Sequence, residues 1–119
     1  MKIDPQKMSA AAGQASDLLK AIGHPHRLML LCQMIERERT VGELAAALGI
    51  RESTTSQHLA LLRKDGLVRP RREAQTIWYS IASIPAQRVM AILFELYCDP
   101  TLPPAAPAPG ASPSEGGGA

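Results

Sequence analysis

Two thiols, Cys32 and Cys98, stand 66 residues apart in the sequence. A cysteine thiolate attacks electrophilic sulfur, and a second thiol can resolve the product into a cross-link. The N-terminus lacks the apolar core of a signal peptide and no stretch approaches the ~20 apolar residues of a membrane span, so we expect a cytoplasmic protein without membrane association. Thiols in that reducing compartment are either inert, small hydrophobic side chains or a regulated pair.

A second group of side chains has the chemistry needed to bind DNA. In the N-terminal half of a predicted helix from about Arg51 to Asp65, short polar groups suit base edges or phosphates, and they belong to Ser53, Thr54, Ser56 and Gln57. Ser53, Ser56 and Gln57 fall on its outward face. His58 borders this face. Between positions 51 and 72, six basic residues stand against two acidic ones, namely Arg51, Arg63, Lys64, Arg69, Arg71 and Arg72. A concentrated basic stretch can bind phosphates, although a solvated charged face is the commoner explanation.

Apolar periodicity predicts the helices that precede this group. Helical spacing of apolar residues predicts a first amphipathic helix that begins near Met8 and stops at Gly23. Pro25 can open a second helix, whose apolar stripe includes Cys32.

The next two helices have clear local signals. Thr40 and Glu43 have the spacing of a capping box, which predicts a short helix over 41–48 that ends at Gly49. The helix that follows carries an inward stripe made of Thr55, Leu59 and Leu62. Two helices joined by a short turn that contains glycine form a helix-turn-helix unit.

After Gly66 the pattern changes to that of strands. Residues 67–72 and 76–81 are predicted to form a β-hairpin around the turn Glu73-Ala74-Gln75. This hairpin would be a wing that holds Arg69, Arg71, Arg72 and Gln75 beside the duplex. A last helix opens at Pro85 and ends at Cys98.

Together these elements predict a mainly α fold with a β-hairpin (α+β), in the order ααααββα. The arrangement is a winged helix-turn-helix over residues 8–98, which we expect to bind duplex DNA. Residues 99–119 contain six prolines and four glycines and are expected to form a disordered tail.

Other classes of protein have less support. A small helical bundle or a non-DNA interaction module would also explain the helices, but not the basic hairpin directly after them. A phosphate loop is missing, and Ser56 with His58 lacks the oriented partner that a catalytic nucleophile needs, so we do not expect an enzyme. His24, His26 and His58 are not spaced with a cysteine or carboxylate ligand, and we expect neither a metal site nor a cofactor.

Two segments resemble the arsenic-repressor (ArsR) family. The run VGELAAALGIRESTTSQHLALLRKDGLVRPRRE, Val41 to Glu73, is similar to its helix-turn-helix and wing, and AIGHPHRLMLL, Ala21 to Leu31, to the segment before them. The elements LxxxLG, SxxSxHL, LxxxGLV and WYS occur in the order of the family. The resemblance implies a homodimer held by the first and last helices, which binds an inverted-repeat operator and is released by an inducer.

One position departs from the family pattern. Arg51 stands where the family usually has a capping serine, and arginine is a poor N-cap. Either Ser53 caps the helix, or Arg51 is exposed there to bind phosphate, which is the hypothesis we favour.

The resemblance also bears on the inducer. Metal-sensing members carry cysteines in the short helix or Asp and His ligands along the last helix, and this sequence has neither. A cysteine in the second helix and another at the end of the last helix resemble the pair of the persulfide-sensing SqrR/BigR subgroup, as does RREAQTIWY, Arg71 to Tyr79. This implies a repressor of sulfide-response genes that is released when reactive sulfur species cross-link Cys32 and Cys98. The alternative is a general thiol-redox repressor that forms an ordinary disulfide.

Overall fold

The computed structural model describes residues 1–99 and Thr101 of the chain. Over these residues it forms five helices and three strands: α1 (Pro5–Ile22), α2 (Pro25–Gln33), β1 (Arg39–Thr40), α3 (Val41–Leu48), α4 (Glu52–Lys64), β2 (Val68–Glu73), β3 (Thr76–Ile81) and α5 (Ile84–Cys98). The predicted mainly α fold with a wing is confirmed. Apart from Asp99 and Thr101, the tail predicted over 99–119 lies outside the described residues.

The helix boundaries follow local capping chemistry. The amide of Glu43 donates to Thr40 Oγ1 at 3.1 Å and the amide of Thr40 donates to Glu43 Oε1 at 3.0 Å, which completes the predicted capping box. Gly49 ends α3 with a φ of 67°, a left-handed conformation that favours glycine. The first helix begins earlier than predicted, at Pro5, because Asp4 accepts a hydrogen bond from the amide of Gln6.

The wing belongs to a three-stranded antiparallel sheet with the strand order β1-β3-β2. Its two long strands pair from Val68 opposite Ile81 to Glu73 opposite Thr76. The third strand, β1, is an addition to the predicted hairpin and pairs Arg39 with Tyr79 and Thr40 with Trp78. A strand of two residues carries no alternating pattern, so only its pairing in the folded chain reveals it.

The core lies where α2, α3, α4 and the base of the wing meet. Its largest fully buried aliphatic side chains are Leu30, Leu31, Leu44, Leu59 and Leu62. Thr55 is also buried, so the predicted inward stripe of α4 is confirmed. The expected stripe of α2 was partly wrong, because Leu30 fills the core whereas Cys32 is exposed.

Large apolar side chains remain uncovered on α1 and α5. The exposed ones on these helices are Met8, Leu19, Ile84, Ile92, Phe94, Leu96 and Tyr97. The core of the single chain therefore uses only part of the apolar face predicted for α1, and it leaves much of α5 uncovered. So many large apolar side chains exposed on two helices favour an interaction site there. Among the described helices, none is both long and apolar enough to cross a membrane.

Candidate functional site

The helix α4 presents a polar face to solvent. Because Thr55, Leu59 and Leu62 are buried, the residues between them in the first half of the helix turn outward. The side chains of Ser53, Ser56 and Gln57 are exposed, and we call them the polar face of α4. Thr54 is half-buried and Lys64 is exposed in the last turn.

Arg51 is the N-cap residue of α4. Its side chain is exposed, and among the described residues it makes no capping hydrogen bond. Ser53 lies inside the helix rather than at its start, so the alternative that Ser53 caps the helix was wrong. Arg51 thus stands at the N-terminus of α4, where the helix dipole favours an anion.

The wing carries exposed cationic side chains along β2. Arg69 and Arg72 on β2 are exposed, as is Gln75 in the turn. The turn has two residues, Ala74 and Gln75, rather than the three predicted, since Glu73 pairs with Thr76. Ala74 has a φ of 56°, the positive value that the first residue of a type II′ turn requires.

Arg71 is held by acidic side chains, unlike its neighbours in sequence. Its guanidinium donates from Nε and Nη2 to the Glu38 carboxylate, with distances of 2.9 Å for the shortest contacts, and from Nη1 to Glu73 Oε2 at 3.0 Å. The hydrogen bonds from Arg71 lower the pKa of Glu38, and the two carboxylates raise the pKa of Arg71. This arginine therefore braces the wing against the segment before β1, a role that the sequence did not indicate.

The sequence places His58 at the border of the polar face of α4, and its ring packs against the rings of two other histidines. Its ring centroid lies 4.8 Å from that of His24 and 5.7 Å from that of His26. Burial lowers the pKa of His58, and electrostatic interactions with His24, His26 and Arg27 lower it further. One ligand nitrogen from each of the three rings lies within 4.8 Å of the others. The sequence spacing predicted no such grouping, because the three residues meet only in the folded chain.

The two thiols open onto one cavity. Cys32 and Cys98 are both exposed, and both line a largely apolar cavity of about 670 Å³ between α2 and α5. Its other walls include Met29, Met90 and Phe94. Two cysteines distant in sequence are thus gathered at one surface of the molecule, while the remaining lining residues were not identified from the sequence.

The chain is similar in sequence to known transcription regulators. The family described as bacterial regulatory protein, arsR family, matches residues 24–69, from the start of α2 into the wing. The transcriptional activator HlyU of Vibrio cholerae is 43% identical over 93 residues, which cover 78% of this chain and 86% of HlyU. The chain belongs to the ArsR family.

This ArsR-family regulator is similar to solved structures in its fold as well as in its sequence. The transcriptional repressor BigR from Xylella fastidiosa superposes with a TM-score of 0.77 at 36% identity and covers 82% of this chain and 99% of its own. The homodimeric winged helix-turn-helix DNA-binding domain Mb0332 from Mycobacterium bovis gives a TM-score of 0.65 at 31% identity, with 78% of this chain and 86% of its own covered. The chain is therefore a transcription regulator with a winged helix-turn-helix.

Proposed function

We propose that this regulator is a homodimeric repressor that binds an inverted-repeat operator and releases it when reactive sulfur species cross-link Cys32 and Cys98. The observation that carries the proposal is the shared cavity, because it brings two exposed thiols from α2 and α5 to one apolar space. Exposure of both thiols at this cavity admits the sulfur reagent to each of them.

The uncovered faces of α1 and α5 support a dimer. Side chains such as Leu19, Ile92 and Leu96 are more than half exposed in the single chain, at 61%, 53% and 52%. A second copy of the chain would bury them, as expected from the homodimeric relative Mb0332. A two-fold dimer presents two copies of α4, which read an inverted repeat when they stand about one helical turn of DNA apart, ~34 Å.

In this proposal residues 8–98 form the DNA-binding and dimerisation unit. The polar face of α4 reads base edges in the major groove, with Thr54 at its margin. Arg51 and Lys64 bind phosphates at the two ends of the helix. The wing adds Arg69, Arg72 and Gln75, whereas Arg71 acts through its ion pairs.

The sulfur chemistry can be written in balanced steps. The Cys32 thiolate attacks the outer sulfur of a persulfide RSSH, which forms Cys32-S-SH and expels the thiolate RS⁻. The Cys98 thiolate then attacks Cys32 Sγ, forms a disulfide and expels HS⁻. If a second persulfide first lengthens the chain to Cys32-S-S-SH, attack of Cys98 on the middle sulfur forms a trisulfide and again expels HS⁻. Each added sulfur spans about 2 Å more, so a longer link bridges a wider gap between the helices.

The cross-link has a structural route to the DNA-binding surface. The helix α2 packs against both α3 and α4, which form the helix-turn-helix, and it also packs against α5. A covalent link from Cys32 to Cys98 fastens α2, which supports the helix-turn-helix, to α5, the helix of the proposed dimer interface. Because the two copies of α4 must keep a fixed separation, a small change at this junction lowers operator affinity.

The proposal is tested by measuring operator affinity before and after treatment with a persulfide donor. The operator is first selected from a pool of randomised duplexes. Wild-type protein should lose affinity after treatment and regain it after reduction, while Cys32→Ser and Cys98→Ser should retain it. Full release of both variants would contradict the proposal, and equal release by hydrogen peroxide would favour ordinary disulfide sensing instead.

A further inference from the structure

Three histidines from two helices meet at one place outside the thiol cavity. His24 is the N-cap residue of α2, His26 is the second residue of that helix, and His58 comes from the middle of α4. They are the three histidines of the chain. All are half-buried, and one ligand nitrogen of each lies within 4.8 Å of the other two. Imidazole nitrogens are the commonest metal ligands in proteins.

One nitrogen of the cluster is left without a partner. His58 Nδ1 is buried and, among the described residues, makes no hydrogen bond. A buried polar atom normally has a partner, because an unpaired one keeps the full cost of its desolvation. His24 is differently placed, since its Nδ1 accepts the amide of His26 at 3.1 Å and leaves Nε2 available to a ligand. A ligand seated between the rings would satisfy His58 without breaking the cap of α2.

The separation of the ligand nitrogens is close to that of a metal site. Around a tetrahedral ion with metal–nitrogen bonds of 2.0–2.1 Å, neighbouring nitrogens lie about 3.3 Å apart. Nitrogens already within 4.8 Å reach that distance by small rotations of the imidazole rings. The rings are also tilted or edge-on to one another rather than stacked, so their nitrogens can converge on one point.

The donor set selects the class of ion. We propose that His24, His26 and His58 bind one divalent transition-metal ion of the zinc type, with water in the fourth position. Imidazole suits Zn²⁺, Co²⁺, Ni²⁺ and Cu²⁺, whereas Mg²⁺ and Ca²⁺ require oxygen ligands. The nearby Arg27 guanidinium is turned to the end of α1, where its Nε donates to the Ala21 carbonyl at 2.8 Å. The bound ion joins the start of α2 to the middle of α4.

The test is a titration of the full chain with Co²⁺, whose absorption reports the geometry of its ligands. The Cys32→Ser/Cys98→Ser variant is used so that thiols cannot bind the metal. We expect saturation at one ion per chain, a tetrahedral absorption spectrum without a thiolate charge-transfer band, and a rise in Tm with added Zn²⁺. Mg²⁺ in place of Zn²⁺ should leave Tm unchanged.

Two substitutions in that background assign the ligands. His24→Asn keeps an N-capping side chain and His26→Gln keeps a polar one, so both should fold with unchanged circular dichroism. Each should weaken Co²⁺ binding by at least about tenfold, since even outer-shell changes at metal sites cost that much. Absence of saturable binding would overturn the proposal, as would a titration that neither substitution alters.

Discussion

Replacing Arg72 by glutamine tests whether the wing binds the phosphate backbone of DNA. Successive side chains of a strand point to opposite faces, so Arg72 faces away from Arg71 and its carboxylate partners. Its guanidinium is exposed on β2, and the substitution keeps a side chain of similar length while removing one charge. We expect the variant protein to fold normally and to bind its operator more weakly.

The size of the effect follows from counterion release. Each phosphate neutralised on duplex DNA contributes about 0.9 to the slope of log K against log salt. At about 0.15 M salt one such contact is worth about 5.5-fold in affinity. A dimer has two wings, so the variant should bind about thirtyfold more weakly and lose about 1.8 from its salt slope.

The assay is fluorescence anisotropy of a labelled operator over a series of salt concentrations. The matched control is the double variant Glu38→Gln/Arg71→Gln, which removes a positive charge from the same strand but leaves the net charge unchanged, because Glu38 before β1 loses the paired negative charge. Its salt slope should equal that of the wild type. An unchanged salt slope for Arg72→Gln together with a reduced slope for the control would refute the assignment of phosphate binding to Arg72 and of bracing to Arg71.

Three further outcomes are expected. Ala74→Gly should stabilise the protein by up to about 1 kcal/mol in urea unfolding, because glycine adopts the positive φ at this turn without steric cost; a loss of stability would contradict the assignment of the turn. Hydrogen bonds from Thr40 and from Arg37 lower the pKa of Glu43. Ionised Glu43 therefore contributes to the free energy of unfolding at pH values above its pKa in the unfolded chain. This contribution is lost as the pH falls through the lower pKa of the folded protein. Glu43→Gln should therefore be less stable than wild type at neutral pH and approach it in acid. Leu96→Glu places a charge on the exposed face of α5, so sedimentation should show a monomer with weakened operator binding, while a stable dimer would argue against this interface.

Local signals in the sequence predicted the parts of the fold that depend on neighbours along the chain. The Thr40–Glu43 capping box and the left-handed Gly49 require only residues within one or two helical turns. The strand β1 could not be found in this way, since its two residues are defined by pairing with β3. The outward turn of Cys32 was likewise missed, because helical spacing does not say which of two adjacent apolar residues the core accepts.

In the candidate site, too, local sequence predicts some features and the folded chain alone determines others. The polar face of α4 was predicted because burial of Leu59 and its neighbours fixes what remains outside. The ion pair between Glu38 and Arg71 joins residues 33 positions apart, and the histidine cluster joins α2 to α4. Contacts of such separation are properties of the folded chain, and no periodicity in the sequence encodes them.

Intact-protein mass spectrometry of fractionated protein shows directly whether a sulfur cross-link between Cys32 and Cys98 releases DNA. Protein is treated with a limiting amount of persulfide donor, and the fraction retained on immobilised operator is separated from the fraction released. The released fraction should have lost two thiol hydrogens, with or without added sulfur atoms, and peptide mapping should join Cys32 to Cys98. The retained fraction should have the reduced mass. Equal masses in the two fractions, or release by protein in which the two cysteines are not joined, would contradict release by this cross-link.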